Sequence, residues 1–161
     1  MTPASRFCLP VILNPSGYIL IFPFSSPQLS HKQWPYYNEL IKIIKSKYRN
    51  LEIVIAPGPN EIEEAKKIES ILITNNNKSL NIMELTGLIL KASYVVANDT
   101  GPAHMAAHLG SKGVVLFGHH TTANKVSIET EKFKAITVDH LNNLEAEKVY
   151  LEIKNYLELI D

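Results

Sequence analysis

The chain has 161 residues, sixteen Lys and Arg balanced by sixteen Asp and Glu, and a single cysteine, Cys8. That length suffices for one domain with a real core and no need of metal or disulfide support. The cancelled charge argues against nucleic acid or an anionic bilayer as a general partner, so any anion site must be local. A lone cysteine allows neither an internal disulfide nor a cysteine-metal cluster, as expected of a cytoplasmic protein.

Arg6 precedes an apolar run over 7–13 that contains Pro10 and is too short to span a bilayer, so neither a signal peptide nor a transmembrane helix is expected. Residues 1–17 read as a tail or linker, with Pro15-Ser16-Gly17 leading into the first strand, and 18–161 as one domain. Residues 18–24 are a buried strand that ends in Ser25-Ser26-Pro27. After Trp34-Pro35, Tyr37, Leu40, Ile41, Ile44 and Tyr48 recur at helical spacing with Lys42, Lys45 and Lys47 on other faces. A second strand over 51–56 breaks at Pro57-Gly58-Pro59, and 61–70 reads as a short polar helix. Residues 71–74 form an edge-like third strand, and 75–78 form a loop. Residues 80–92 are apolar around most of the helix circumference, which predicts a well-buried helix.

The densest signal follows. Residues 94–97 are a short β-branched run that stops at Asn98-Asp99-Thr100-Gly101, and Pro102 to Gly110 then has the marks of a helix. Asp99 or Thr100 can cap it, Pro102 fits its first turn, and Gly110 ends it. Val114 to Phe117 is a further strand, 119–132 shows no period, 134–138 is a last strand, and Val149, Ile153, Tyr156, Leu157 and Ile160 stripe a closing helix. This alternation predicts an α/β fold, a Rossmann-like parallel sheet with helices on both faces. Ligands then bind beyond the carboxyl ends of the strands, at the loops 25–32, 57–61, 75–78, 98–101 and 118–124, which hold most of the distinctive polar residues.

A polar loop leading from a parallel strand into a helix N-terminus suits phosphate. His104 is placed one turn into that helix, where its imidazole can reach a bound anion, whereas His108, a turn further along, reads as a packing or surface residue. The helix lacks the glutamate that a zinc-protease motif requires after the first histidine, Met105 standing there, so no metal is expected. Lys32 can be a point-charge partner for a diphosphate or a solvated loop lysine. Glu61 can serve the dipole of its own helix or accept both hydroxyls of a ribose. His119 and His120 can line the site or be exposed. The chain has no G-x-G-x-x-G, P-loop or G-x-S-x-G signature.

Taken together, three motifs in order resemble glycosyltransferase family 9, the ADP-heptose:lipopolysaccharide heptosyltransferases. The run from Val95 to Gly110, with Val115-Leu116-Phe117-Gly118 after it, is similar to the family's D-T-G-x-x-H region. Ser25-Ser26 followed by Lys32-Gln33-Trp34-Pro35 resembles its small-hydroxyl pair and K-x-W-P, and Pro59-Asn60-Glu61 its acidic loop. The resemblance runs from about residue 18 to the end. It implies the C-terminal, nucleotide-sugar-binding half of a GT-B fold, with Ser25, Ser26 and Lys32 on the diphosphate and Glu61 on the ribose. Asp99, Thr100, Gly101 and His104 then hold phosphates and sugar, and Lys78 flanks the base.

The implied donor is ADP-heptose or a related nucleoside diphosphate sugar, with no cofactor and no metal. The implied acceptor is lipopolysaccharide core or a lipid-linked acceptor at the inner membrane face, reached from the cytoplasm. The family's acceptor-binding domain, which supplies the catalytic base, has no counterpart among these residues, so a separate chain carrying it is one implied partner. The competing expectations are a stand-alone nucleotide-binding module or inactive fragment, and a nucleotide-sugar epimerase of GT-B type.

Overall fold

The computed structural model describes residues 17–118 and 127–160. The expected tail or linker falls almost wholly outside them, as do His119 and His120. Six strands form one sheet: β1 (Tyr18–Phe22), β2 (Glu52–Ile55), β3 (Ile71–Leu72), β4 (Tyr94–Asn98), β5 (Gly113–Phe117) and β6 (Phe133–Thr137). Their order is β3-β2-β1-β4-β5-β6, every neighbouring pair parallel. The expected parallel α/β sheet is therefore present.

β1, β4 and β5 are buried at every position, because helices cover both faces and a continuous apolar run is what such a strand requires. Side chains alternate between two cores. Ile19, Ile21, Ile53, Ile55, Val96 and Leu116 pack with Leu40, Ile41 and Ile44 of α1 (Tyr37–Lys47) and with Val149, Ile153 and Leu157 of the closing helix α5 (Ala146–Ile160). Leu20, Phe22, Val95, Ala97, Val115 and Phe117 pack with Leu88 and Ile89 of α3 (Ile82–Lys91) and with Ala103, Ala106 and Ala107 of α4 (Gly101–His108). Gly113 opens β5 because a Cβ there would stand 2.5 Å from both the Phe133 ring and the Val95 carbonyl oxygen.

Two expectations need correction. The polar helix over 61–70 shrinks to α2 (Ile62–Ala65). Beyond it Lys67 and Ile68 donate to carbonyls only three residues back, a tightening that ends the helix before β3. α3 is not well buried: Leu88 and Ile89 are sealed, but Ile82, Met83 and Leu90 are 72%, 79% and 60% exposed. A single layer of helix on a sheet has an outer side, and here that side is apolar. The helix is instead fixed at its start by a capping box, in which Asn81 Oδ1 accepts from the Glu84 amide at 2.9 Å and Glu84 Oε1 from the Asn81 amide at 3.3 Å. Just before it, Asn75 and Lys78 exchange backbone hydrogen bonds of 2.8 and 3.0 Å around Asn76 and Asn77, both at positive φ, a turn type that favours asparagine.

Candidate functional site

The strand order reverses between β1 and β4, so the connections that leave their carboxyl ends diverge and open a crevice. A cleft of about 570 Å³ lies there. Ser25, Ser26 and Lys32 reach it from the β1–α1 connection, Glu61 from the β2–α2 loop, and Asp99, Thr100, Gly101 and His104 from the start of α4. The structure thus brings together eight of the nine residues singled out in the sequence. Lys78 is the exception, exposed on the Asn75–Lys78 turn, while its neighbours Ser79 and Leu80 line the cleft.

Lys32 enters through a six-residue 3-10 turn, Pro27–Lys32. Inside that connection Ser25 Oγ donates to the Leu29 carbonyl at 2.7 Å, and the Gln33 amide donates to the Ser30 carbonyl at 3.0 Å. The compact turn returns the ammonium to the mouth of β4, where Lys32 Nζ donates to Asp99 Oδ2 at 2.9 Å. The two side chains are 15% and 4% exposed, so the pair is largely removed from water. The other Asp99 oxygen stands 3.3 Å from His104 Nε2. An ammonium carries three donors, and the bond to Asp99 uses one, leaving capacity for an anionic ligand.

At the first turn of α4, Thr100 Oγ1 accepts from the Ala103 amide at 3.4 Å, and Pro102 contributes no donor of its own. The positive end of this helix faces the cleft beside Lys32. His108 lies exposed, away from the cleft lining. On the far side, Glu61 Oε2 accepts from the Gly58 amide at 2.7 Å. That bond holds the carboxylate in a fixed pose and leaves Oε1 with acceptor capacity. Phe24, Leu29, Leu80 and Leu85 supply apolar wall between the polar ends. Chemically, the cleft can take a ligand with an anionic group at one end, a hydroxyl-bearing group at the other and an apolar face. Among the described residues no three His, Cys, Asp or Glu are grouped as metal ligands.

Asn98 has a part that the sequence reading missed. It closes β4 fully buried, its Oδ1 accepting from the Trp34 amide at 3.2 Å and the Tyr37 hydroxyl at 3.0 Å, while Nδ2 donates to the Pro23 carbonyl at 2.6 Å. Burial pushes the Tyr37 phenol well above its ordinary pKa, so it remains a proton donor at any working pH. The available signal was an asparagine ending an otherwise apolar strand, since a buried amide must find partners.

A six-stranded sheet ordered 3-2-1-4-5-6, with its polar crevice at the reversal, is an α/β domain of the Rossmann type. Residues 6–153 match the sequence model of glycosyltransferase family 9 (heptosyltransferase), and the chain belongs to that family. It is 32% identical over 107 residues to the lipopolysaccharide core heptosyltransferase OpsX of Haemophilus influenzae, a match covering 63% of this chain and 30% of OpsX. Among the solved structures that share the fold are two heptosyltransferases. E. coli heptosyltransferase WaaC with ADP superposes with a TM-score of 0.75 at 20% identity, over 89% of this chain and 45% of WaaC. E. coli ADP-heptose LPS heptosyltransferase II superposes with a TM-score of 0.73 at 19% identity, over 89% of this chain and 47% of that one. The chain therefore spans less than half the length of each of these relatives.

Proposed function

We propose that this domain is the donor-binding half of a heptosyltransferase and holds a nucleoside diphosphate sugar, ADP-heptose in the first instance, in the β1/β4 cleft. The observation that carries the reading is the convergence of Lys32, Asp99 and the N-terminus of α4 at one end of the cleft, with the Glu61 carboxylate at the other. Lys32 and the Thr100-Gly101 terminus take the diphosphate, Glu61 the ribose hydroxyls, and the apolar wall near Leu80 and Leu85 the base. The ADP bound in WaaC and the activity named for OpsX support this choice of donor and a lipopolysaccharide-core acceptor.

In the transfer, an acceptor hydroxyl attacks the anomeric carbon in line and the nucleoside diphosphate leaves, with inversion. The bond from the anomeric carbon to the phosphate oxygen breaks as the new glycosidic bond forms. Negative charge grows on the departing phosphate, where a fixed ammonium and preoriented helix amides are worth most. The acceptor and the base that takes the hydroxyl proton belong to an acceptor-binding domain, carried by the same polypeptide or by a separate chain. In this reading the reaction runs at the cytoplasmic side of the inner membrane, where a lipopolysaccharide-core acceptor is met. Among the described residues no helix is long and apolar enough to cross a membrane. Calorimetry with ADP tests the site: saturable binding weakened by Lys32→Ala is expected, and absence of binding by any nucleoside diphosphate at millimolar concentration would overturn it.

A further inference from the structure

Asn98 does not line the cleft, yet Ser25, Ser26, Lys32 and Asp99 each lie within three residues of Asn98 or of a group it holds. Pro23, whose carbonyl accepts from Nδ2, precedes Ser25 and Ser26 by two and three residues. Trp34, whose amide donates to Oδ1, follows Lys32 by two. Asp99 is the next residue. The orientation of the amide is unambiguous, because a backbone N–H demands the oxygen and a backbone carbonyl demands the nitrogen. No other side chain of this size both accepts twice and donates: aspartate lacks the donor, and leucine lacks both functions. Trp34 is pinned a second time, its ring N–H donating to the Leu144 carbonyl at 2.7 Å, so the point that Asn98 grips is itself fixed to the body of the domain.

We propose that Asn98 is the positioning residue of the diphosphate end of the cleft, setting the reach of Lys32 toward Asp99 by tying the end of β1, the start of α1 and the end of β4 to one amide. The inference rests on the nucleoside diphosphate reading above and adds to it which residue sets that end. Glu61 is held by its own Gly58 amide and has no share in this network. Loss of Asn98 should therefore penalise ligands according to their phosphates and leave the nucleoside contribution alone.

The test measures ADP and adenosine binding to the full chain by ligand-observed NMR, well below the Tm of each variant. Asn98→Ala should weaken ADP about tenfold or more while adenosine stays within about twofold. Tyr37→Phe, which removes one of the two donors to Oδ1 and keeps the buried ring, should shift the same ratio by about threefold; it carries the test if Asn98→Ala does not fold. In a Lys32→Ala background the Asn98 substitution should cost less than about twofold further, as expected of a residue acting through Lys32. An unchanged ADP-to-adenosine ratio, or full additivity with Lys32→Ala, would overturn the proposal while leaving the site intact. A wild-type chain that binds neither ligand would overturn the reading of the site as well.

Discussion

The two ends of the cleft are built on opposite principles. The Glu61 end is local: its carboxylate is held by an amide three residues away, within one loop. The Lys32 end is assembled over distance, Lys32 meeting Asp99 across 67 residues and Asn98 meeting Pro23 across 75. A locally held group keeps its pose when the rest of the domain loosens. A group held across the sheet responds to every element that supports it. The anionic end thus depends on more of the fold than the Glu61 end does.

The contrast can be broken most forcefully at Asp99. Asp99→Ala leaves the mostly buried Lys32 ammonium without its carboxylate and should cost about 3 kcal/mol of stability, read by urea denaturation. The same variant should bind ADP more weakly than wild type. Glu61→Ala comes next: stability should change by no more than about 0.5 kcal/mol, since a half-exposed local bond is lost, but ADP affinity should fall about fivefold. If Glu61→Ala instead destabilises as much as Asp99→Ala, the division into local and long-range ends is wrong. Thr100→Ala removes a long cap bond and should cost about 0.5 kcal/mol, seen as a small drop in Tm. Lys78→Ala should leave both ADP affinity and stability within error, because the side chain is exposed and outside the cleft lining; a marked loss of ADP binding would put Lys78 back beside the base.

The same division governs what could be read from the sequence. The alternation of strands and helices, the edge position of β3 and a start of α4 at Asp99 or Thr100 followed from local pattern, because a doubly covered strand must be apolar throughout and a helix start needs a cap; the structure selects Thr100. Lys32, Glu61 and the Asp99 loop were visible as polar residues at the right ends of those strands. The Asn98 network was not, since its partners are brought together only by strand order, and no local period encodes which carbonyl an amide will meet. The overestimate at α3 has a related cause. An apolar circumference says that a helix can be buried, and the neighbours decide whether it is; here Ile82, Met83 and Leu90 have none among the described residues that cover them.

Trp34 gives this architecture an optical handle. It is the single tryptophan of the chain, 2% exposed, packed edge-on against Tyr37 with ring centroids 5.0 Å apart, and two residues from Lys32. Its fluorescence reports from the junction where the long-range end of the cleft is tied together, undiluted by any other indole. Emission at short wavelength marks the junction closed, and a red shift before global unfolding would show that end of the cleft opening first.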